Sequence, residues 1–446
     1  MDSALISEMN HVHLKLFQPE RRDIVFQGET DWEDNTMSFI RVLQDGEKVR
    51  LYYRASMVER NGKRIPVMAL AESGDGGFSF VRPALRLVEF NGSSENNILR
   101  ISDIPTVPPP FIDTNSDCPP GERYKGLSGE WKMCFALASP DGLRWHLMSE
   151  DTLEMSGTFD TVNTAFWDPQ IQAYRCFTRY FENLTPESDV LSANNVAIRA
   201  IQSAVSRDFI RWEQVTYHQY GDGQAFHMYT NATIPCPGAG HIYLAFPNRY
   251  VQDRIFKSDH PYPGMNDALF MSSRDCVHWT RFPEAWIRPG LDEKNWTDRN
   301  NYPTWGIIES SATEWSMYVS EHYRQPDVKP RLRRLSVRPR GFVSVHAQYE
   351  AGTFTTKPLI FSGNRLQINY STSAIGAIFV EVQDSAGVPL AGFSRADCRP
   401  IFGDDLERTV VWENGSDLSR LAGAPIRLRF ELSDADIFAF RVHTEK

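Results

Sequence analysis

CxxC motifs, long apolar runs and clustered basic residues are all missing from this 446-residue chain. The six cysteines, at positions 118, 134, 176, 236, 276 and 398, show no CxxC pairs and no metal-binding His pattern, so they read as small core or loop residues in a reducing compartment, with a disulfide possible but not indicated, and imply no metal site. No apolar stretch approaches the length that spans a bilayer, which excludes a helical membrane anchor from the expectation. Met1-Asp2-Ser3-Ala4 lacks the basic start and apolar run of a secretory signal. A cytoplasmic location is therefore expected, or a secreted one if a signal peptide has been removed. The formal charge of −10 and the absence of a Lys/Arg run argue against a nucleic-acid surface. No Gly-x-Ser-x-Gly elbow and no phosphate-cradling glycine loop occurs, which leaves acyl and phosphoryl transfer without support.

What the chain does contain is a repeated phrase. Ser139-Pro140-Asp141-Gly142-Leu143-Arg144-Trp145 returns as Ser206-Arg207-Asp208-Phe209-Ile210-Arg211-Trp212 and as Ser273-Arg274-Asp275-Cys276-Val277-His278-Trp279, with an earlier copy at Ser73-Gly74-Asp75-Gly76. The aspartates at 75, 141, 208 and 275 are 66, 67 and 67 residues apart, and Arg340-Gly341-Phe342 falls 65 further on as a worn fifth copy. Even phasing over this length is the signature of a repeat architecture. Each copy supplies a side chain able to bond its own backbone and then an aromatic, which suits a tight turn leading into a strand with a buried ring.

Around each phrase stand four short strand patterns. The first set is Thr36 to Leu43, Val49 to Arg54, Val67 to Glu72 and Phe78 onward; the fifth is Tyr302 to Glu309, Trp315 to Glu321, Arg331 to Val337 and Phe342 to His346. Five four-stranded meanders, none able to bury both faces alone, are best arranged around an axis, so the expected fold is all-β: a five-bladed β-propeller over 29–346, preceded by an N-terminal leader at 1–28 and followed by a β-sandwich at 347–446. The sandwich rests on alternating segments such as Leu366–Tyr370, Ile378–Val382 and Ile426–Leu432.

In a meander the start of the first strand and the end of the second emerge on the same face. That face collects Glu33, Asp34, Asn35 and Arg54 from blade one, Asp160, Asn163 and Arg179 from blade three, His227, Tyr229, Arg249 and Asp267 from blade four, and Asp298, Arg299, Glu321 and His322 from blade five. Blade two offers only Asp103 and Thr106. Arginine closes three matching second strands, at Arg54, Arg179 and Arg249, where it either neutralises carboxylates or holds an anionic or hydroxyl-rich ligand. Aromatics make up 12% of the chain, with 11 Trp, which serves blade packing and sugar stacking alike. Insertions at Tyr180–Val196 and Tyr250–Asn266 leave the same face and could wall it into a pocket.

A five-bladed propeller with an acidic mouth followed by a β-sandwich resembles the glycoside hydrolase superfamily that includes family 32 (invertase and levanase types), family 43 (arabinanase and xylosidase types) and family 68. The phrases Phe159-Asp160-Thr161-Val162-Asn163-Thr164-Ala165-Phe166-Trp167-Asp168 and Asn300-Asn301-Tyr302-Pro303-Thr304-Trp305-Gly306 resemble a bacterial branch of such propellers. The Asn-Asp-Pro-Asn-Gly, Arg-Asp-Pro and Glu-Cys motifs of family 32 are absent. The resemblance implies a glycosidase without cofactor that cleaves a terminal sugar, a furanoside being one option, using three carboxylates at the inner strands of the first three blades. By position Glu33 or Asp34 matches the nucleophile or base, Asp103 poorly matches the stabiliser and Asp160 the acid, with Glu321 as a substitute acid. Arg54, Asn163, Arg179, His227, Tyr229, Arg249, Asp267, Arg299 and His322 are then the substrate-binding candidates. The expected partner is a carbohydrate, with no nucleic acid or membrane, and a homo-oligomer is compatible with the sequence. The alternative is a carbohydrate-binding propeller without catalysis; a protein-interaction propeller is a further rival that an apolar rim would favour.

Overall fold

The structure, a computed structural model, describes residues 2–60, 63–103, 106–182, 197–221, 226–257, 260 and 262–445. The chain divides into two compact units, Pro19–Ser336 and a discontinuous one made of Met1–Gln18 with Val337–Lys446.

The larger unit is a five-bladed β-propeller. Blade one is Ser38–Asp45, Lys48–Arg60, Lys63–Ser73 and Ile98–Ile101; blade two is Phe111–Ile112, Tyr124–Glu130, Met133–Ser139 and His146–Leu147; blade three is Thr164–Asp168, Ala173–Glu182, Ile198–Ser206 and Glu213–Tyr217. Blade four has split inner strands, His227–Met228 with Asn248–Val251 and Ile234–Cys236 with Ala239–Ala245, both pairing with Met265–Ser273, and Trp279–Ile287 outside. Blade five is Tyr302–Pro303, Trp315–Glu321, Arg331–Val337 and, as its outer strand, Glu20–Gln27 from the start of the chain.

That last pairing corrects two expectations. Residues 1–28 are not an irregular leader, and Phe342–His346 is not the fourth strand of blade five. Glu20–Gln27 reads as polar because an outermost strand buries only one end, here Val25 and Phe26. Val343–Ala347 instead pairs with Val12–Leu16 and Ile426–His443 in the smaller unit. The propeller boundaries are therefore 19 and 336 rather than 29 and 346. In blade one the outer strand is Ile98–Ile101 rather than a segment from Phe78, whose ring is exposed.

The repeated phrase ends the third strand of blades one to four. Asp141 Oδ1 accepts from the backbone N–H groups of Leu143 and Arg144 at 2.8 and 2.9 Å, Asp208 from Ile210 and Arg211, and Asp275 from Val277 and His278. Asp75 makes the same turn one residue longer, to Phe78 and Ser79. These carboxylates are consumed by their own turns. The residue after Asp141 has φ of 76°, and a Cβ on Gly142 would stand 2.4 Å from the Tyr52 hydroxyl, so glycine is required there.

Three blade junctions share one latch at the opposite end of the first strands. The hydroxyls of Tyr124, Tyr174 and Tyr243 donate to Asp45, Asp113 and Asp168 of the preceding blade at 2.5, 2.6 and 2.6 Å. Each aspartate also meets a base of its own blade: Arg50 at 3.2 Å, Lys125 at 2.7 Å and Arg175 at 3.0 Å. On the inner strands, Arg41 is buried and donates to the carbonyls of Pro110, Val42 and Trp305, while Trp305 Nε1 donates to Thr233 O. Blades one, two, four and five thus meet around these two side chains, which closes the ring.

The smaller unit is a single bent seven-stranded sheet, compatible with a β-sandwich. Its two longest strands, Arg365–Asp384 and Ile426–His443, pair along most of their length with a register shift between Thr372 and Ala377. The sheet folds over a core that includes Val345, Phe354, Ile368, Val380, Trp412 and Phe430.

Candidate functional site

Two cavities open among the first-strand starts and second-strand ends and share Phe39, Arg54 and Asp160 in their walls. The inner one, about 230 Å³, is framed by Phe39 and Arg54 of blade one, Asp160 before the first strand of blade three, Tyr229 of blade four, and Arg299 and Tyr302 of blade five. Tyr323 and Arg324, just past the second strand of blade five, complete it. The outer cavity, about 370 Å³, adds Asp103 and Glu130 of blade two, both exposed.

Asp160 stands in the wall shared by the two cavities and accepts a hydrogen bond from Arg179, whose side chain is 5% exposed and whose Nε donates to Thr158 Oγ1. Arg54 donates to Ser38 Oγ at 3.1 Å and lies over the Phe39 ring at 4.1 Å. Burial holds its pKa below the usual arginine value, and the charges of Arg299 and Arg324 act in the same direction. Arg299 lies over Tyr229 and Tyr323 and meets Asp298 at 3.6 Å. Burial raises the Asp298 carboxyl above the usual aspartate range, against the pull of Arg299, Arg324 and His260. Arg324 lies over Tyr262 at 4.2 Å and Tyr323 at 5.2 Å.

The backbone here is strained. Phe39, Arg299, Asn301, His322 and Arg324 all have left-handed φ between 53° and 65°. Buried amides hold that geometry: Asn301 Nδ2 donates to Asn266 O and Asn295 O, and Asn300 Nδ2 donates to Thr297 Oγ1. Strain fixed in this way clusters at sites that position side chains.

Of the sequence candidates, Arg54, Asp160, Tyr229 and Arg299 line the inner cavity, and Arg179 backs Asp160. Asn163 is buried behind it, donating to Phe159 O. His227 lies beside Arg199, and burial together with that charge lowers its pKa. The remaining candidates line neither cavity. Glu33 is fully buried and accepts from Tyr53 at 2.6 Å, twice from Arg82 at 2.9 Å, and from the N–H groups of Glu29 and Thr30. Burial pushes its carboxyl up, but Arg82, Tyr53 and Glu29 outweigh that and hold the pKa below the usual value. Asp34 sits exposed on the adjoining turn.

Glu321 is also fully buried, between Arg21, Arg331 and Arg333 at 2.6 to 2.8 Å. Burial raises its pKa and the three guanidiniums more than reverse the effect. Its role is to fasten the N-terminal outer strand to blade five. His322 meets Asp292 at 2.7 Å beside the same cluster. Asp292, Glu321 and His322 bring three donor atoms within 4.8 Å, but arginines already occupy the carboxylates, which is a poor setting for a cation. Arg249 and Asp267 pair with each other at 2.5 Å, Arg249 also lying over Phe226. The insertion at Tyr180–Val196 falls mostly outside the described residues.

Sequence reading missed Phe39, Tyr302, Tyr323 and Arg324. Arg324 was within reach: it stands just past the second strand of blade five, two residues beyond His322, whereas Arg54 lies within the second strand of blade one, which runs on to Arg60. Phe39 gives no such signal, because its position depends on the irregular register between Ser38 and Arg41.

The sequence matches no family model and no curated protein. Several solved structures are similar in fold. An N-acetylgalactosamine deacetylase from F. plautii, in complex with blood group B trisaccharide, shares 11% identity over 71% of this chain and 95% of its own, with a TM-score of 0.46. A family 43 arabinoxylan arabinofuranohydrolase from Bacillus subtilis shares 9% over 93% and 96%, with a TM-score of 0.42, and an α-L-arabinofuranosidase from Fusarium graminearum 10% over 73% and 98%, with a TM-score of 0.41. Identity this low assigns no activity to the present chain, and its propeller is established by its own strand pairing.

Proposed function

We propose that the protein is a glycosidase that hydrolyses the bond to a terminal sugar, with Asp160 as the carboxylate facing the anomeric carbon. The observation that carries this reading is the position of Asp160, in the wall shared by the two cavities and oriented by Arg179. A glycosidic bond breaks through an oxocarbenium-like transition state that needs an anion beside it and a proton for the leaving oxygen. The inner cavity then holds the terminal ring, with Phe39 and Tyr229 as apolar walls, and the outer one holds the leaving group. Asp103 and Glu130, lining the outer cavity, supply the second carboxyl for proton transfer. Water from the open outer cavity completes the hydrolysis.

The test is a screen of aryl glycosides and oligosaccharides with wild type, Asp160→Asn, Glu130→Gln and Asp103→Asn. Asp160→Asn is expected to lower kcat by roughly 10²–10⁴-fold in a variant that still folds, with the lost counter-charge of Arg179 read separately as a lowered unfolding midpoint. Equal turnover by Asp160→Asn and wild type would sink the assignment. A second reading, a sugar-binding propeller without catalysis, is favoured by one observation: Asp160 is the sole carboxylate lining the inner cavity among the described residues, and Arg179 already holds it. Saturable sugar binding without hydrolysis of any substrate would select that reading.

A further inference from the structure

Charge in the inner cavity does not balance. Three guanidinium groups line it, those of Arg54, Arg299 and Arg324, against the single carboxylate of Asp160, which Arg179 already pairs. Arg54 and Arg324 make no ion pair within 4 Å among the described residues; Arg54 meets Ser38 Oγ and the Phe39 ring, and Arg324 the rings of Tyr262 and Tyr323, with Asp298 as a more distant charge that it shares with Arg299. Arg299 meets that one carboxylate at 3.6 Å, a long contact. Guanidiniums gathered in an aromatic-walled cavity lose hydration and repel one another, a cost that an anion between them removes.

We propose that the sugar bound in the inner cavity carries a carboxylate, a hexuronic acid or a similar acidic sugar, seated among Arg54, Arg299 and Arg324. The planar fork of guanidinium matches a carboxylate through two parallel hydrogen bonds, and several forks converging on one anion give selectivity over the neutral parent sugar. Tyr229, Tyr323 and Phe39 supply faces for the pyranose ring. The inference rests on the sugar-site reading above and adds the charge of the sugar.

Binding of D-glucuronate and D-galacturonate is measured by titration calorimetry on the full chain, beside glucose, galactose, the two methyl uronate esters and galactose 6-sulfate. The expected result is that at least one uronate binds about tenfold or more tighter than its neutral parent and its methyl ester, an advantage that shrinks as salt rises. Arg54→Gln is expected to erase most of that advantage, read as the ratio of uronate to parent-sugar affinity, and Arg324→Gln repeats the test if Arg54→Gln fails to fold. Equal binding of uronate and parent, no uronate binding at all, or tighter binding of the sulfated sugar each overturns the proposal. Hydrolysis of neutral glycosides without preference for acidic ones would remove this inference and leave the glycosidase standing. Selective uronate binding with no hydrolysis of any uronoside would do the reverse.

Discussion

At the latch end of the propeller, Asp45, Asp113 and Asp168 each accept from a phenol of the next blade and lie beside a base of their own. At the mouth, Arg54 and Arg324 meet rings and a hydroxyl instead. The same residue types stand at both ends of the same strands, yet one end is complete without a ligand and the other is not. A buried charge with its full set of partners is a structural part, whereas one placed in a cavity without them is waiting for something.

The largest expected effect lies at the latch. Lys125 is almost fully buried, with Asp113 at 2.7 Å as its closest counter-charge and Glu122 at 3.2 Å as its second, so Asp113→Ala removes the nearer anion of a buried cation and the acceptor of the Tyr174 hydroxyl at once. Breaking a buried pair in this way costs about 3–5 kcal/mol, to be read as a lowered denaturation midpoint in urea. A loss below about 1 kcal/mol, the range of exposed pairs, would erase the distinction between the two ends. Glu321→Gln comes next. It weakens the hold on Arg21, Arg331 and Arg333, whose side chains are 22–30% exposed, so solvent screens part of the loss and about 1–3 kcal/mol is expected. Because Arg21 lies on the closing strand, this loss should be accompanied by faster hydrogen exchange in Glu20–Gln27 than in blade two. Uniform exchange across both would remove the ring-fastening role.

His218 is buried against Trp279 at 5.0 Å, neither ring nitrogen has a partner among the described residues, and burial, helped by Arg175, lowers its pKa from 6.5 to about 3. The unfolded chain therefore takes up a proton first as pH falls. The stability this group contributes is complete above pH 6.5 and declines below it, by up to about 1.4 kcal/mol per pH unit, until the folded ring also protonates. Glu33 and Glu321, with depressed pKa values, add their own loss only below about 4.5. His218→Phe keeps the ring stack and should flatten the decline between pH 6.5 and 5, leaving the carboxylate limb in place. An unchanged profile in the variant would mean that His218 already carries its proton when folded.

The phase of the Ser-x-Asp phrase made the five blades legible, and the strand direction within a meander made the mouth legible, because both follow from local chemistry repeated along the chain. Ring closure by Glu20–Gln27 was not legible, since an outer strand that buries Val25 and Phe26 alone looks like a polar leader. Glu33 and Glu321 were misread for a related reason. A carboxylate at the mouth of a blade and one turned inward onto arginines occupy the same place in the sequence, and only the positions of Arg82, Arg21 and Arg333, distant along the chain, tell them apart. Arg54 and Asp160 were found because their positions follow from topology without help from such partners.

The smallest predicted effect is the most discriminating, because its sign differs between the two ends. Removing a latch charge destabilises; removing a mouth arginine should not. Arg54→Gln withdraws a cation that burial and the neighbouring Arg299 and Arg324 already disfavour, and what it forfeits is one hydrogen bond to Ser38 Oγ and contact with the Phe39 ring. The two contributions are each on the order of 1 kcal/mol and opposed, so the ligand-free variant should unfold within about 0.5 kcal/mol of wild type or slightly above it. If it unfolds more easily by as much as Asp113→Ala, Arg54 is a strut like Lys125, and the mouth is as self-contained as the latches. If stability holds, the guanidinium is kept at a cost the fold does not recover by itself, and the compensation has to come from what enters the cavity.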